Sequence, residues 1–235
     1  MDLSHISAII FDNDGVLVDS EAIHVAVERE LLGEMGLHYD HATYMSRFVG
    51  LSNKDFHAAL ARDHEAQLGL PFPQDFRTRL DARVWPRMEV ELLALPGIQD
   101  LVEHFSDAIA VASSAQVSRL TQKLELTGLR DLFSPHIFSS DHVANGKPAP
   151  DLFLHAAAQI KVAPKQCLVV EDSVNGIRAA SAAGMLPVGF VGGGHADEGH
   201  RARLEKAGAA LIVASHAELQ SYFKKLKRRK RRHPA

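Results

Sequence analysis

Residues 8–20 read AIIFDNDGVLVDS, and this stretch gives the clearest indication of the fold. Its first four residues form a short apolar run of the kind that favours a buried strand in a parallel sheet. Asp12 and Asp14 follow at once, and in an extended segment their side chains point the same way. Two carboxylates this close repel each other unless a cation compensates, and Gly15 allows a sharp turn out of the strand. Because acidic turns are common, this stretch alone does not establish a functional site.

Similar apolar runs recur along the chain and are separated by helical patterns. The further predicted strands are residues 108–111, 168–170 and 187–190, with a weaker one at 210–213, and the helical patterns include 116–126, 150–160 and 173–183. This alternation predicts the α/β class, a doubly wound, Rossmann-like parallel sheet with right-handed crossovers. In such a sheet, ligands bind at the carboxyl ends of the strands.

Residues 20–91 interrupt the alternation. They carry helical patterns at 21–35, 42–48, 54–67 and 74–83 and no strand signal. So long a helical stretch exceeds an ordinary crossover between strands. We therefore predict an inserted α-helical cap domain at 20–91, a core domain formed by 1–19 and 92–223, and a basic C-terminal tail at 224–235.

Composition indicates a globular protein. The chain has 235 residues, of which 46% are apolar and 23% charged. No apolar run approaches the roughly 20 residues that span a bilayer, and the first residues do not resemble a signal peptide. Cys167, the single cysteine, lies in an apolar run and is interpreted as a buried strand residue. With no internal disulfide possible, a reducing compartment fits, and we predict a cytoplasmic protein.

Positive charge is concentrated at the C-terminus. Residues 224–232 hold 8 of the 26 Lys and Arg residues, which leaves 18 against 29 acidic residues in the rest of the chain. The favoured interpretation of this tail is a solvated, mobile terminus. The alternative is a polybasic arm that contacts nucleic acid or an anionic membrane surface, in which case the chain is a binding or regulatory protein.

Polar groups also follow the other predicted strands. Glu171 and Asp172 come directly after a buried strand, and two acids at a strand end offer the hard oxygen ligands that Mg²⁺ prefers. Ser113 and Ser114 end the second strand and supply hydroxyl and backbone N–H groups for a phosphate. Lys147 precedes a helix, where its point charge can neutralise a phosphate and an attacking carboxylate.

Together these four segments resemble the four motifs of the haloacid dehalogenase superfamily, over residues from about 8 to 190. The chain is most similar to the branch with a helical cap, which includes sugar phosphatases and β-phosphoglucomutase. The resemblance implies that Asp12 is the nucleophile. It implies that Asp14 is the general acid/base and also lends its backbone carbonyl to Mg²⁺.

The same resemblance implies that Ser113 and Lys147 bind the transferring phosphoryl group and that Asp172, with Glu171 beside it, completes the metal site. The implied activity is Mg²⁺-dependent hydrolysis of a small phosphorylated metabolite, a sugar or sugar-acid phosphate, through an aspartyl phosphate. True dehalogenases of this superfamily lack the second aspartate of the first motif and need no metal. The presence of Asp14 and the later acidic pair therefore disfavours dehalogenation.

Two interpretations of the basic groups in the predicted cap stay open. His24 matches a histidine that β-phosphoglucomutase uses to couple cap closure to its acid/base, but it is equally an interface histidine without a catalytic role. Lys54, Arg77, Arg79 and Arg83 could meet an anionic substrate, although four basic groups on helices more often form a solvated face.

A phosphomutase is the alternative enzyme. The loop with Gly50, Asn53 and Lys54 resembles the family's substrate-specificity loop, but the mutase has an arginine where Asn53 stands. Ala115 and Val117 also stand where the mutase has a serine and an asparagine that hold the second phosphate of a bisphosphate. Without those groups a bisphosphate cannot be held in both orientations, so hydrolysis is favoured.

Overall fold

The computed structural model describes residues 3–48, 51, 53–105 and 107–232, and for residues 53, 54 and 225–232 it describes the backbone alone. The chain divides into two compact units. Residues 1–19 and 93–235 form the first, here called the core unit, and residues 20–92 form the second, here called the helical unit.

The core unit is built on one parallel sheet. Its strands are β1 (Ala8–Phe11), β2 (Ala108–Ser113), β3 (Ile137–Ser139), β4 (Cys167–Glu171), β5 (Leu186–Phe190) and β6 (Leu211–Val213). Their order is β3-β2-β1-β4-β5-β6, so the chain winds in opposite directions on either side of β1. The predicted doubly wound parallel sheet is confirmed. By the general rule for such sheets, the ligand crevice lies at the strand ends beside β1.

Helices cover both faces of this sheet. Those of the core unit are α5 (Ile98–His104), α6 (Val117–Leu126), α7 (Arg130–Phe133), α8 (Asp151–Gln159), α9 (Val174–Ala182), α10 (His200–Ala207) and α11 (His216–Arg232), with short 3-10 turns at Ser140–His142 and Pro164–Gln166. Ala8 and Ile10 pack with residues of α8 and α9 in one buried cluster. Phe11 faces the other side, where its ring meets Phe133 of α7 and His216 of α11. Burial on both faces explains why β1 is apolar throughout.

The helical unit contains α1 (Ser20–Glu34), α2 (His41–Phe48), α3 (Asn53–Leu68) and α4 (Phe76–Glu91). Asp40 caps α2 by accepting a hydrogen bond from the Thr43 backbone N–H at 2.8 Å. Helix α4 runs beyond the predicted end at residue 83 because Leu80, Val84 and Met88 continue one buried face at helical spacing. The four predicted helical segments therefore correspond to four helices.

The sequence-based assignment missed other elements of the core unit. β3 was not predicted, because only Ile137 and Phe138 are apolar in it and so short a run carries no periodic signal. The basic segment predicted as a mobile tail belongs, as far as Arg232, to α11. Lysine and arginine are good helix formers, so this continuation needs no apolar stripe. Along the described parts of the chain, no helix has the length and apolar character required to cross a bilayer.

Candidate active site

The loop after β1 carries the first two acidic side chains into the site. The backbone N–H of Asp12 still donates to the Val170 carbonyl of β4 at 2.9 Å, so Asp12 is held by the sheet itself. The chain then turns at Gly15, whose φ is +74°. A Cβ at Gly15 would lie 1.9 Å from the Asp172 carboxylate, so only glycine allows this approach.

The end of β4 brings the second acidic pair to the same place. Glu171 is fully buried, and its Oε2 accepts from the Ser173 backbone N–H at 3.0 Å and from the Ser173 hydroxyl at 2.9 Å. The same hydroxyl oxygen accepts from the Gly176 N–H and caps α9. A Cβ at Gly176 would meet the Glu171 carboxylate at about 1.8 Å. The Ser173 cap and the missing side chain at Gly176 thus leave room for the Glu171 carboxylate at the start of α9.

Lys147 contacts acidic side chains at the ends of both β1 and β4. Its Nζ donates to Asp12 Oδ1 at 2.6 Å, to Glu171 Oε1 at 2.6 Å and to the Ala112 carbonyl of β2 at 2.9 Å. Only 4% of the side chain is exposed. All three ammonium protons therefore have acceptors, and the carboxyl ends of β1, β2 and β4 converge on this group.

Burial sets the electrostatics of this cluster. Burial, the largest cause, raises the pKa of Asp12 well above its usual value; the Lys147 charge opposes this and the neighbouring carboxylates add to it. Burial disfavours the charge of Lys147, but Asp12 and Glu171 together raise its pKa. One ammonium group is shared between two carboxylates, so it holds its own proton firmly but compensates only one of their two negative charges.

The acidic cluster has the donor set of a divalent cation site. Carboxylate oxygens of Asp12, Glu171 and Asp172 lie within 4.8 Å of one another, and all three residues are buried. With Asp14, the site has four carboxylates, and the described ion pairs bring two ammonium groups to them, those of Lys147 and of Lys123. In these pairs the carboxylates outnumber the ammonium groups, and uncompensated negative charge is costly in a buried position. A hard divalent cation with oxygen preference fits these residues.

Lys123 is a member of the site that the sequence analysis missed. It lies on α6 between the buried Leu120 and Leu124, and its Nζ donates a hydrogen bond to Asp14 Oδ1. Its side chain is 9% exposed. A signal was present, since a lysine on the apolar face of an amphipathic helix is unusual, but no partner could be named from the sequence.

Two histidines that follow β5 also contact Asp172. His195 Nε2 lies 3.1 Å from Asp172 Oδ2. His200, the first residue of α10, places Nε2 at 2.5 Å from the Asp172 carbonyl, which can only accept, so Nε2 carries a proton. Burial lowers the pKa of His200. The segment after β5 therefore contacts both the side chain and the main-chain carbonyl of Asp172.

The predicted phosphate-binding serines differ in position. Ser113, the last residue of β2, is buried, and its Oγ accepts from the Ala115 backbone N–H at 3.1 Å. Its neighbour Ala112 supplies the carbonyl that contacts Lys147. Ser114 is exposed, and its carbonyl accepts from the Ser140 hydroxyl at 2.8 Å. Ser113 thus ends the strand next to β1, whereas the side chain of Ser114 makes no contact that ties it to the acidic cluster among the described interactions.

The predicted cap residues all belong to the helical unit or lie outside the description. His24 is a partly buried residue of α1. Gly50 lies outside the described residues, and the side chains of Asn53 and Lys54 are likewise not described. Arg77 is exposed and Arg83 is partly exposed, and they form ion pairs within their own unit with Asp81 and Glu34 respectively, as expected of a solvated face.

Comparison with known proteins gives a consistent result. Residues 6–184 match the haloacid dehalogenase-like hydrolase family. The chain is 34% identical over 181 residues to the fructose-1-phosphate phosphatase YqaB of Escherichia coli, covering 76% of this chain and 93% of that protein. It is 30% identical to the bifunctional riboflavin kinase/FMN phosphatase of Arabidopsis thaliana, covering 76% of this chain but only 46% of that longer protein.

A solved structure is similar over nearly its whole length. It is a HAD family hydrolase from Deinococcus radiodurans with bound phosphate and sodium, and its TM-score to this chain is 0.83 at 34% identity. The alignment covers 94% of this chain and 96% of that one. The likeness therefore extends over both units of the fold.

Proposed function

The chain belongs to the haloacid dehalogenase-like hydrolase family. We propose that it is a phosphatase, which hydrolyses a small sugar or sugar-acid phosphate with Mg²⁺ through a phosphoryl group carried on Asp12. The observation that carries the proposal is the Lys147 ammonium, which contacts Asp12 and Glu171 at 2.6 Å each. When one oxygen of a buried carboxylate accepts a hydrogen bond from a lysine, its other oxygen is available for attack on phosphorus.

The reaction requires two displacements. In the first, an Asp12 oxygen attacks phosphorus while the bond to the leaving oxygen breaks, and Asp14 donates its proton to that oxygen. In the second, water attacks the same phosphorus, the bond to Asp12 breaks, and the Asp14 carboxylate takes a proton from the water. Lys147 and the groups at the end of β2, among them Ser113, neutralise and bind the equatorial oxygens.

Asp12, Asp172 and Glu171 are the residues that would hold Mg²⁺, and the family resemblance adds the Asp14 backbone carbonyl as a further oxygen ligand. When bound, the ion contributes positive charge that stabilises phosphate oxygens. The residues of the chain supply the remaining chemistry.

Hydrolysis is favoured over isomerisation by the start of α6. The Val117 backbone N–H donates to Asp141 Oδ2 at 2.9 Å, and Ala115 offers no side-chain donor. An exposed carboxylate at this point repels a second phosphate rather than holding it. A phosphomutase would need positive or hydrogen-bonding groups here, so we propose water as the acceptor in the second displacement.

The test is phosphate release from a panel of sugar phosphates and sugar-acid phosphates, with Mg²⁺ or with EDTA. We expect release that depends on Mg²⁺ and is selective among the sugars, as the name of the E. coli relative suggests for that protein. Conversion of β-glucose 1-phosphate to glucose 6-phosphate without phosphate release would instead identify a mutase. If no phosphate is released from any member, the proposed function is wrong.

His195 is expected to support the metal site. Replacing His195 with Asn or Phe removes the contact to Asp172 Oδ2, and loss of such an outer contact typically lowers metal affinity by about 10–100-fold. Calorimetric titration of the metal-free protein with Mn²⁺ measures this, with the exposed His5→Asn as the control. Equal affinities of His195→Asn, His195→Phe and wild type would show that this contact does not orient Asp172.

A further inference from the structure

Lys123 is a buried lysine whose partner lies in the candidate active site. This partner is Asp14, the acid/base of the proposed function, and the contact joins α6 to the loop after β1. The Asp14 side chain is 23% exposed, whereas that of Lys123 is 9% exposed. The Asp14 carboxyl group is therefore more exposed than the lysine that contacts it.

Stability alone is a poor explanation for this pair. Burying an ammonium group costs several kcal/mol before pairing, and a buried ion pair is often no more stable than a hydrophobic replacement of similar volume. Position 123 lies between Leu120 and Leu124 on the buried face of α6, where an apolar side chain would pack. An ammonium group at such a position is better explained by a role in the neighbouring site.

We propose that Lys123 is a positioning residue that fixes the Asp14 carboxyl group for proton transfer to the leaving oxygen, an inference that rests on the proposed phosphatase function. The Nζ–H of Lys123 donates to Oδ1, which favours Oδ2 as the oxygen that carries the proton of the acid form. That proton passes to the leaving oxygen as its bond to phosphorus breaks and the bond from Asp12 forms. Asp14 is left as a carboxylate that the ammonium group stabilises, while Lys123 itself keeps all its protons.

This role predicts a dependence on the leaving group. Benzyl phosphate releases an alkoxide and needs the proton, whereas p-nitrophenyl phosphate releases a stable phenolate and does not. In Lys123→Met, kcat/KM for benzyl phosphate should fall by about 10²–10³-fold and that for p-nitrophenyl phosphate by less than about tenfold, given the usual contribution of a general acid. We choose kcat/KM because it reports the step in which the leaving oxygen departs.

The controls separate this role from a structural one. Both substrates are measured in one preparation, so their ratio is independent of the folded fraction. Lys123→Gln keeps an N–H donor and should retain part of the benzyl phosphate activity, while the exposed Lys165→Met should leave the ratio at the wild-type value.

Several outcomes would overturn the inference. An equal loss with both substrates, or a rise in KM alone, would make Lys123 a structural or substrate-binding group. Failure of both Lys123 variants to fold would make it a structural residue. If the wild type cleaves neither compound nor any sugar phosphate with Mg²⁺, it is the proposed phosphatase function that fails.

Discussion

Asp12→Asn should lower the rate of phosphate release by at least about 10⁴-fold, because an amide cannot serve as the nucleophile of the first displacement. The substitution is nearly isosteric, and the Lys147 ammonium keeps its contacts with Glu171 and the Ala112 carbonyl. The fold should therefore persist, and loss of activity would report chemistry rather than unfolding. Phosphate release by the two proteins at equal concentration is the measurement.

The same variant should be more stable than the wild type when metal is removed. Burial and nearby carboxylates raise the pKa of Asp12 in the folded protein. The folded state then binds a proton more tightly than the unfolded one, so this group stabilises the fold at low pH, and that contribution is lost as pH rises from the usual aspartate range through the raised value. In EDTA, Asp12→Asn should lack this loss and show a higher Tm near neutral pH. A lower Tm than wild type under these conditions would contradict the description of the cluster as excess negative charge.

Lys147→Met should affect both stability and activity. It leaves the buried Asp12 and Glu171 without their shared cation, and breaking a buried pair in this way typically costs about 3–5 kcal/mol. It also removes the positive charge beside the attacking carboxylate, for which a loss of about 10²–10³-fold in kcat is expected. Denaturant unfolding in EDTA and steady-state phosphate release measure the two effects.

Mg²⁺ should raise the Tm of Lys147→Met by more than it raises that of the wild type, because the variant has one more uncompensated negative charge around the acidic cluster. The exposed Lys206→Met is the matched control and should behave as the wild type does. If Lys147→Met unfolds at the wild-type denaturant concentration, the bridging role of this ammonium group is refuted.

The strand ends that carry the site could be predicted because buried parallel strands are apolar without interruption. β1 and β4 are such runs, and their acidic neighbours stand out at once. β3 could not be found in this way, because it has only two apolar residues and depends on pairing with β2.

The missed members of the site share a different cause. A lysine on a helix is expected at the surface, and only the packing of α6 beside the loop after β1 gives Lys123 its acidic partner. His195 and His200 follow β5 in a segment without periodicity, and their contact with Asp172 depends on how that loop returns to the sheet. Contacts between segments distant in sequence are settled by the tertiary fold, so residue spacing along the chain did not indicate them.

The decisive test of the proposed reaction is whether a phosphoryl group becomes attached to Asp12 during turnover. The enzyme is mixed with Mg²⁺ and a cleaved phosphate ester, quenched in acid within one turnover, digested and analysed by mass spectrometry. We predict one phosphoryl group on the peptide that contains Asp12 in the wild type and none in Asp12→Asn. Phosphate release at the wild-type rate by Asp12→Asn, with that peptide unmodified in both proteins, would contradict the proposed reaction.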